Sequence, residues 1–150
     1  SLHPRGQARL LNVTLEDGAP EAAWNLPFGQ PLRLTFTIRV AERLPSLELG
    51  LGLFNLQGVE LMSTLSSWER NLGPVDPGTY RLSADYGVTS LAPGRYFLGV
   101  GLKGESGLED YIPEAFELEI GPSELSRQIH LDTIRGAIAH RARFSLTPQP

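Results

Sequence analysis

The sequence predicts an all-β fold, an antiparallel sandwich of about seven to eight short strands followed by a C-terminal extension. Three observations predict it. Apolar residues recur at every second position in several short runs, the period of a strand with one buried face. The 16 Gly and 12 Pro of the 150 residues punctuate the chain between those runs, where turns need a positive or a preset φ. No convincing helical pattern interrupts the runs before residue 122, so the spacing of strands and turns is that of a sandwich.

Seven runs carry the strand signature: Arg9–Glu16, Pro31–Val40, Leu47–Phe54, Val59–Ser66, Gly78–Asp85, Gly94–Leu102 and Ala115–Ile120. Pro31–Val40 is the clearest. Leu32, Leu34, Phe36, Ile38 and Val40 alternate there with Arg33, Thr35, Thr37 and Arg39. Tyr80, Leu82 and Ala84 alternate with Thr79, Arg81 and Ser83, and Phe116, Leu118 and Ile120 with Glu117 and Glu119. Asn55-Leu56-Gln57-Gly58 closes a tight hairpin, with Gly58 free to take positive φ. Asp76-Pro77-Gly78 and Pro93-Gly94 are further turn signals. After Pro122, Ser123 is placed to cap a short helix over 123–128. Residues 1–122 therefore read as one sandwich domain and 123–150 as a C-terminal extension.

Leu91-Ala-Pro-Gly-Arg-Tyr96 leads into the sixth strand. It has the form of a tyrosine corner, in which a Tyr near the start of strand F bonds to backbone upstream, and this makes the sandwich immunoglobulin-like. A plain Pro-Gly turn before a core Tyr is the alternative.

Composition narrows the function. Lys plus Arg number 13 against 17 Asp plus Glu, a net charge of -4, which lacks the basic footprint that nucleic acid requires. Zero cysteines remove a disulfide scaffold, a thiolate metal site and a Cys nucleophile, and fit a reducing compartment. No apolar stretch approaches the roughly 20 residues of a membrane span, so direct membrane insertion is not expected. The chain opens at Ser1 without a signal-peptide pattern, as expected of a piece excised from a longer protein.

Catalytic signatures are few. The single lysine is Lys103 and no phosphate-binding loop surrounds it. His3, His130 and His140 lie near the two ends, without the spacing of a zinc site. Neither a nucleophile elbow nor an Asp-x-Asp-x-Asp calcium loop is present, although Glu105–Glu114 reads as an acidic loop. The pairs Glu109/Asp110 and Glu117/Glu119 are a glycosidase's raw material, but read as solvated loop and strand-face groups. The expectation is a non-enzyme without metal or cofactor.

The informative pattern lies on two strands. Leu47, Leu49, Leu51 and Leu53 face one way, and Glu48, Gly50, Gly52 and Phe54 the other. Tyr96, Leu98, Val100 and Leu102 face one way, and Phe97, Gly99, Gly101 and Lys103 the other. Strands C and F of an immunoglobulin-like sandwich are neighbours, so four glycines gather on one outer face. Glycine weakens a strand and often marks a site where something approaches the backbone closely. The result is a shallow trough bordered by Phe54 and Phe97 and by Glu48 and Lys103. Such a surface suits a sugar ring, whose C–H face stacks on aromatics. A packed tail, a second subunit or a bulge fits the glycines equally. Trp68, in a loop with Glu69, Arg70 and Asn71, is a further sugar platform or a core cap. The candidate carbohydrate contacts are thus Glu48, Gly50, Gly52, Phe54, Trp68, Phe97, Gly99, Gly101 and Lys103.

Several segments together resemble a family. Phe28-Gly29-Gln30-Pro31-Leu32 enters an alternating strand, Leu51–Phe54 leads to Gln57-Gly58-Val59, and the Leu91–Tyr96 corner, Phe97–Leu102 and Ala115-Phe116-Glu117-Leu118 follow in order. Their order and spacing are similar to the C-terminal carbohydrate-binding domain of Wzt-type ABC transporters, which export O-antigen polysaccharide. The resemblance implies a sandwich appended to a nucleotide-binding domain outside this chain. It implies recognition of the finished polysaccharide, coupled to export, by a cytoplasmic domain peripheral to the inner membrane. It also implies a homodimer with C-terminal strands exchanged, giving residues 129–146 a role. Many relatives carry a polar residue where this chain has Phe54-Asn55-Leu56, which leaves the sugar preference open. The alternative function is a structural or protein-interaction sandwich.

Overall fold

Period-two patterning is realised as eight strands in a computed structural model that describes residues 6–16, 23–130, 138 and 142–148. In chain order they are β1 (Ala8–Leu15), β2 (Ala23–Pro27), β3 (Pro31–Val40), β4 (Leu47–Phe54), β5 (Glu60–Leu65), β6 (Gly78–Val88), β7 (Gly94–Gly104) and β8 (Gly107–Gly121). A single 3₁₀ turn, Ser66–Trp68, follows β5, and helix α1 covers Glu124–Gln128. Strands β1-β3-β6 form one sheet and β2-β8-β7-β4-β5 the other.

The even-numbered apolar residues of β3 point inward, and Leu32, Leu34 and Phe36 are fully excluded from solvent. They meet Leu47, Leu49, Leu51 and Leu53 of β4 and Leu98, Val100 and Leu102 of β7 in one core. Each such side chain contributes about 2 kcal/mol by leaving water, and this fixes the register. A slip of one residue would turn every leucine outward. The predicted facing of β4 and β7 is therefore observed.

Both turn expectations hold in atomic detail. Gly58 has φ +80° and its N–H donates to the Asn55 carbonyl at 3.0 Å. The Tyr96 hydroxyl donates to the Ala92 carbonyl at 2.6 Å, which is the corner. Asp76-Pro77-Gly78-Thr79-Tyr80 repeats that spacing, and the Tyr80 hydroxyl donates to the Asp76 carbonyl at 2.7 Å. Ser123 caps α1 as expected: its side chain accepts from the Ser126 N–H, and the Ser126 hydroxyl accepts from the Ser123 N–H.

Three features depart from expectation. The sandwich is not purely antiparallel, because the unanticipated β2 pairs parallel with Glu117–Gly121 of β8. The stretch 105–114 is not an acidic loop. After the turn at Glu105-Ser106 it is the first half of β8, paired with β7 from Gly104↔Gly107 onward. Glu109 and Asp110 are accordingly buried rather than solvated. The Glu109 carboxylate accepts from the Gln7 N–H at 3.0 Å, and that of Asp110 from the Leu10 N–H at 2.8 Å. These acids fasten the chain at the start of the β1 edge, where backbone donors otherwise lie open.

The extension begins on the sandwich itself. The Ser123 hydroxyl donates to the Phe28 carbonyl at 2.8 Å, and Leu125 and Ile129 pack against the core. A Cβ on Gly29 would lie 2.7 Å from a Leu125 methyl. Ile138 makes an isolated antiparallel bridge with Leu91. Most of 129–146, where strand exchange is expected, lies outside the described residues.

Candidate functional site

Strand register sets the outer face of the five-stranded sheet as a lattice. Glu48 stands opposite Lys103, Gly50 opposite Gly101, Gly52 opposite Gly99 and Phe54 opposite Phe97. Eight of the nine candidate residues are thus brought together in four consecutive rows. On the β5 side, Leu65 continues the Gly50 row and Ser63 the Gly52 row, while Glu60 continues the Phe54 row. On the β8 side, Tyr111 stands opposite Gly101. With strands about 4.8 Å apart, the Tyr111 and Leu65 backbones are separated by roughly 14 Å across a floor without side chains.

The groove over this floor has a volume of about 230 Å³ and is lined by the four glycines with Phe54, Glu60, Ser63, Leu65 and Tyr111. A second hollow of about 220 Å³ continues it past Phe54 and Tyr111 to Phe97, Asn55, Pro113 and Glu114.

The glycines are not equally bare. A Cβ on Gly52 would lie 2.9 Å from the Phe54 ring, and one on Gly99 would lie 3.4 Å from it. The Phe54 side chain therefore leans along its strand and lies on both glycines. It remains half-buried. Gly99 also faces the Pro113 carbonyl, 3.0 Å from its Cβ position, and is buried. The cause is a register shift, since β8 runs from Phe116 to Ile112 while β7 advances only from Leu98 to Val100. Half of the expected bare trough is thus filled by the chain's own aromatic ring and backbone. The Gly50–Gly101 row differs. A Cβ on Gly101 would meet Tyr111 at 3.5 Å, an ordinary contact, and one on Gly50 only a Leu65 methyl, at 3.2 Å.

Trp68 is not part of this constellation. It is exposed, on the 3₁₀ turn, and lines a separate groove of about 980 Å³ between the edges of β5 and β6. Leu49, Leu82 and Tyr86 lie within that groove, and Arg70 and Asp85 also line it. It is neither on the outer face nor a core cap. Burial pushes the Tyr86 hydroxyl well above its ordinary range.

Tyr111, Glu60, Ser63 and Leu65 were not anticipated as lining residues. The Ser63 hydroxyl donates to Glu60 Oε1 at 2.6 Å, and that oxygen lies 3.1 Å from the Cβ position of Gly52. Alternation within Val59–Ser66 puts Ser63 and Leu65 on one face, but Glu60 reaches the Phe54 row only through the register shift between Leu53 and Phe54, which no period-two pattern shows. Tyr111 was hidden because its segment read as a loop. Among the described residues no group of three or more His, Cys, Asp or Glu is arranged to hold a metal ion.

Comparison with known proteins follows the same lines. The profile described as the Wzt C-terminal domain matches residues 3–130. The chain belongs to the Wzt C-terminal domain family. A crystal structure of the C-terminal domain of wzt superposes with TM-score 0.75 at 15% identity, covering 95% of this chain and 86% of that one. A Niemann-Pick type C2 protein from Japanese carpenter ant superposes with TM-score 0.59 at 10% identity, covering 75% of this chain and 92% of that one. At these identities the structures speak for the fold alone. No curated protein matches the chain. Among the described residues no helix is long and apolar enough to cross a membrane.

Proposed function

We propose that this Wzt-family domain is a non-catalytic module that binds O-antigen polysaccharide and couples recognition of the finished chain to export by an ABC transporter. The nucleotide-binding domain belongs to the same transporter, and the module works on the cytoplasmic side, peripheral to the inner membrane. The observation that carries the reading is the glycine floor between Phe54 and Tyr111. A sugar ring presents an apolar C–H face and a rim of hydroxyls. The Phe54 ring, laid on Gly52 and Gly99, offers a rigid stacking surface, and Tyr111 a second aromatic wall. Glu48, Glu60, Ser63 and Lys103 supply polar partners at the margins. A site this shallow binds weakly, in the micromolar to millimolar range.

The test is calorimetric titration with a panel of bacterial O-polysaccharides. Tyr111→Ala and Phe97→Ala are expected to weaken binding about tenfold, the equivalent of roughly 1.4 kcal/mol, with the melting temperature within a few degrees of wild type. Trp68→Ala separates the two grooves. Unchanged affinity keeps the ligand on the outer face, and lost affinity moves it to the β5–β6 edge.

Homodimerisation through the extension is part of the same proposal. Phe144 and Leu146 are 93% and 100% exposed, so they gain by being covered. Because residues 123–129 pack on the sandwich, the informative truncation follows His130 rather than Pro122. A monomeric product that still binds glycan assigns dimerisation to the tail. An unchanged dimer contradicts that assignment.

A further inference from the structure

The outer face has a charge asymmetry that bears on which polymers it accepts, an inference that rests on the glycan-binding reading above. At the aromatic end the Asp, Glu, Lys and Arg side chains lining the two hollows, among the described residues, are Glu60 and Glu114. Glu117, next to Phe97 in register, is held by Arg95 at 3.6 Å. Lys103 stands at the far end of the floor, three rows away and opposite Glu48. Glu60 is the best placed of these groups, with Oε1 above the Gly52 position and the Ser63 hydroxyl bound to it. A carboxylate has about four lone-pair sites. One is taken by Ser63, and the others suit hydroxyl donors, to which charge-assisted bonds are the stronger kind. The same charge, beside a low-dielectric aromatic surface, repels an anion.

We propose that Glu60, positioned by Ser63, is a specificity-determining residue that selects neutral, hydroxyl-rich repeat units and rejects uronate- or phosphate-bearing ones at the Phe54 end of the trough. Recognition is by hydroxyl donation to the carboxylate together with C–H stacking on Phe54. Exclusion is electrostatic, so it weakens as salt rises.

The experiment is calorimetric titration of the full chain and of Glu60→Gln with O-polysaccharides sorted into neutral and uronate- or phosphate-bearing sets, at low and high salt. Glu60 is exposed, so the variant keeps its fold, checked by circular dichroism and melting. Wild type is expected to bind neutral polymers at least tenfold more tightly than anionic ones at low salt, with the gap narrowing at high salt. In Glu60→Gln the neutral affinity falls about tenfold and the gap loses its salt dependence. Preference of wild type for an anionic polymer overturns the inference while leaving glycan binding standing. An unchanged gap in Glu60→Gln overturns it as well. Failure of wild type to bind any member of either set overturns the binding reading and this inference with it.

Discussion

Two rows of glycine lie side by side on one sheet, and the chain uses them differently. The Gly52–Gly99 row makes room for the protein itself, for the Phe54 ring and the Pro113 carbonyl. In the Gly50–Gly101 row a Cβ on Gly50 would meet a Leu65 methyl at 3.2 Å, and one on Gly101 the Tyr111 ring at 3.5 Å and the Asp110 carbonyl at 3.9 Å, both at van der Waals distance. Glycine inside a strand forfeits about 0.5–1 kcal/mol relative to alanine. At Gly99 that loss is offset by packing. At Gly101 a Cβ would make only ordinary contacts, and the proposed function assigns that opening to a ligand that approaches the backbone closely. Identical residues in a sequence pattern thus separate into a tightly packed pair and a more open pair only once their neighbours are known.

Substitution in the buried row breaks the comparison most visibly. Gly99→Val drives two methyls toward the Pro113 carbonyl and the Phe54 ring. It is expected to cost about 2 kcal/mol, as overpacking does, read as a lower denaturation midpoint with unchanged slope. Stability equal to wild type contradicts the assignment of Gly99 to the fold.

How much of this was legible follows from the physics of each segment. Period two in β3, β4 and β7 exposed the core face and the eight outer-face candidates, because strands buried on one side must alternate. Strand β2 was not legible. Five residues ending in Pro27 carry too little alternation, and its partner is the distant, parallel β8. The first half of β8 was concealed by its register shifts and by Glu109 and Asp110, adjacent acids that are both buried. Charge reads as solvent exposure unless a partner is known, and theirs is the β1 backbone. Tyr111 was lost with that segment. The position of the Phe54 ring depends on a side-chain direction that no sequence pattern encodes.

The paired corners offer a smaller test of the same kind. Tyr96 and Tyr80 make equivalent bonds to the carbonyl four residues back, but Tyr96 is 4% exposed and Tyr80 37%. Removing a buried hydroxyl leaves a carbonyl without its donor, whereas water replaces an exposed one. Tyr96→Phe is therefore expected to cost about 1–1.5 kcal/mol and Tyr80→Phe less than about 0.5, both from chemical denaturation. Equal costs contradict the role given to burial.

The smallest effect is on pH dependence. Burial raises the Tyr86 and Tyr96 hydroxyls above their ordinary value. The folded state then holds these protons more tightly than the unfolded chain. Stability from this source is fully present below about pH 10, where unfolded tyrosine titrates, and is lost as pH rises toward the folded values. Melting temperature is expected to fall above about pH 10, and Tyr86→Phe to shallow that fall. A variant that melts with the wild-type profile contradicts the Tyr86 assignment.

The most direct measurement is made on Gly101→Val, with melting and calorimetric titration of one protein sample against whichever O-polysaccharide the wild type binds. A β-branched residue suits a strand and its Cβ meets Tyr111 at ordinary van der Waals distance, so the melting temperature is expected to hold or rise while affinity falls at least tenfold. A variant that binds as wild type does, or one that loses its fold, contradicts the claim that this row of glycine is kept open for a ligand.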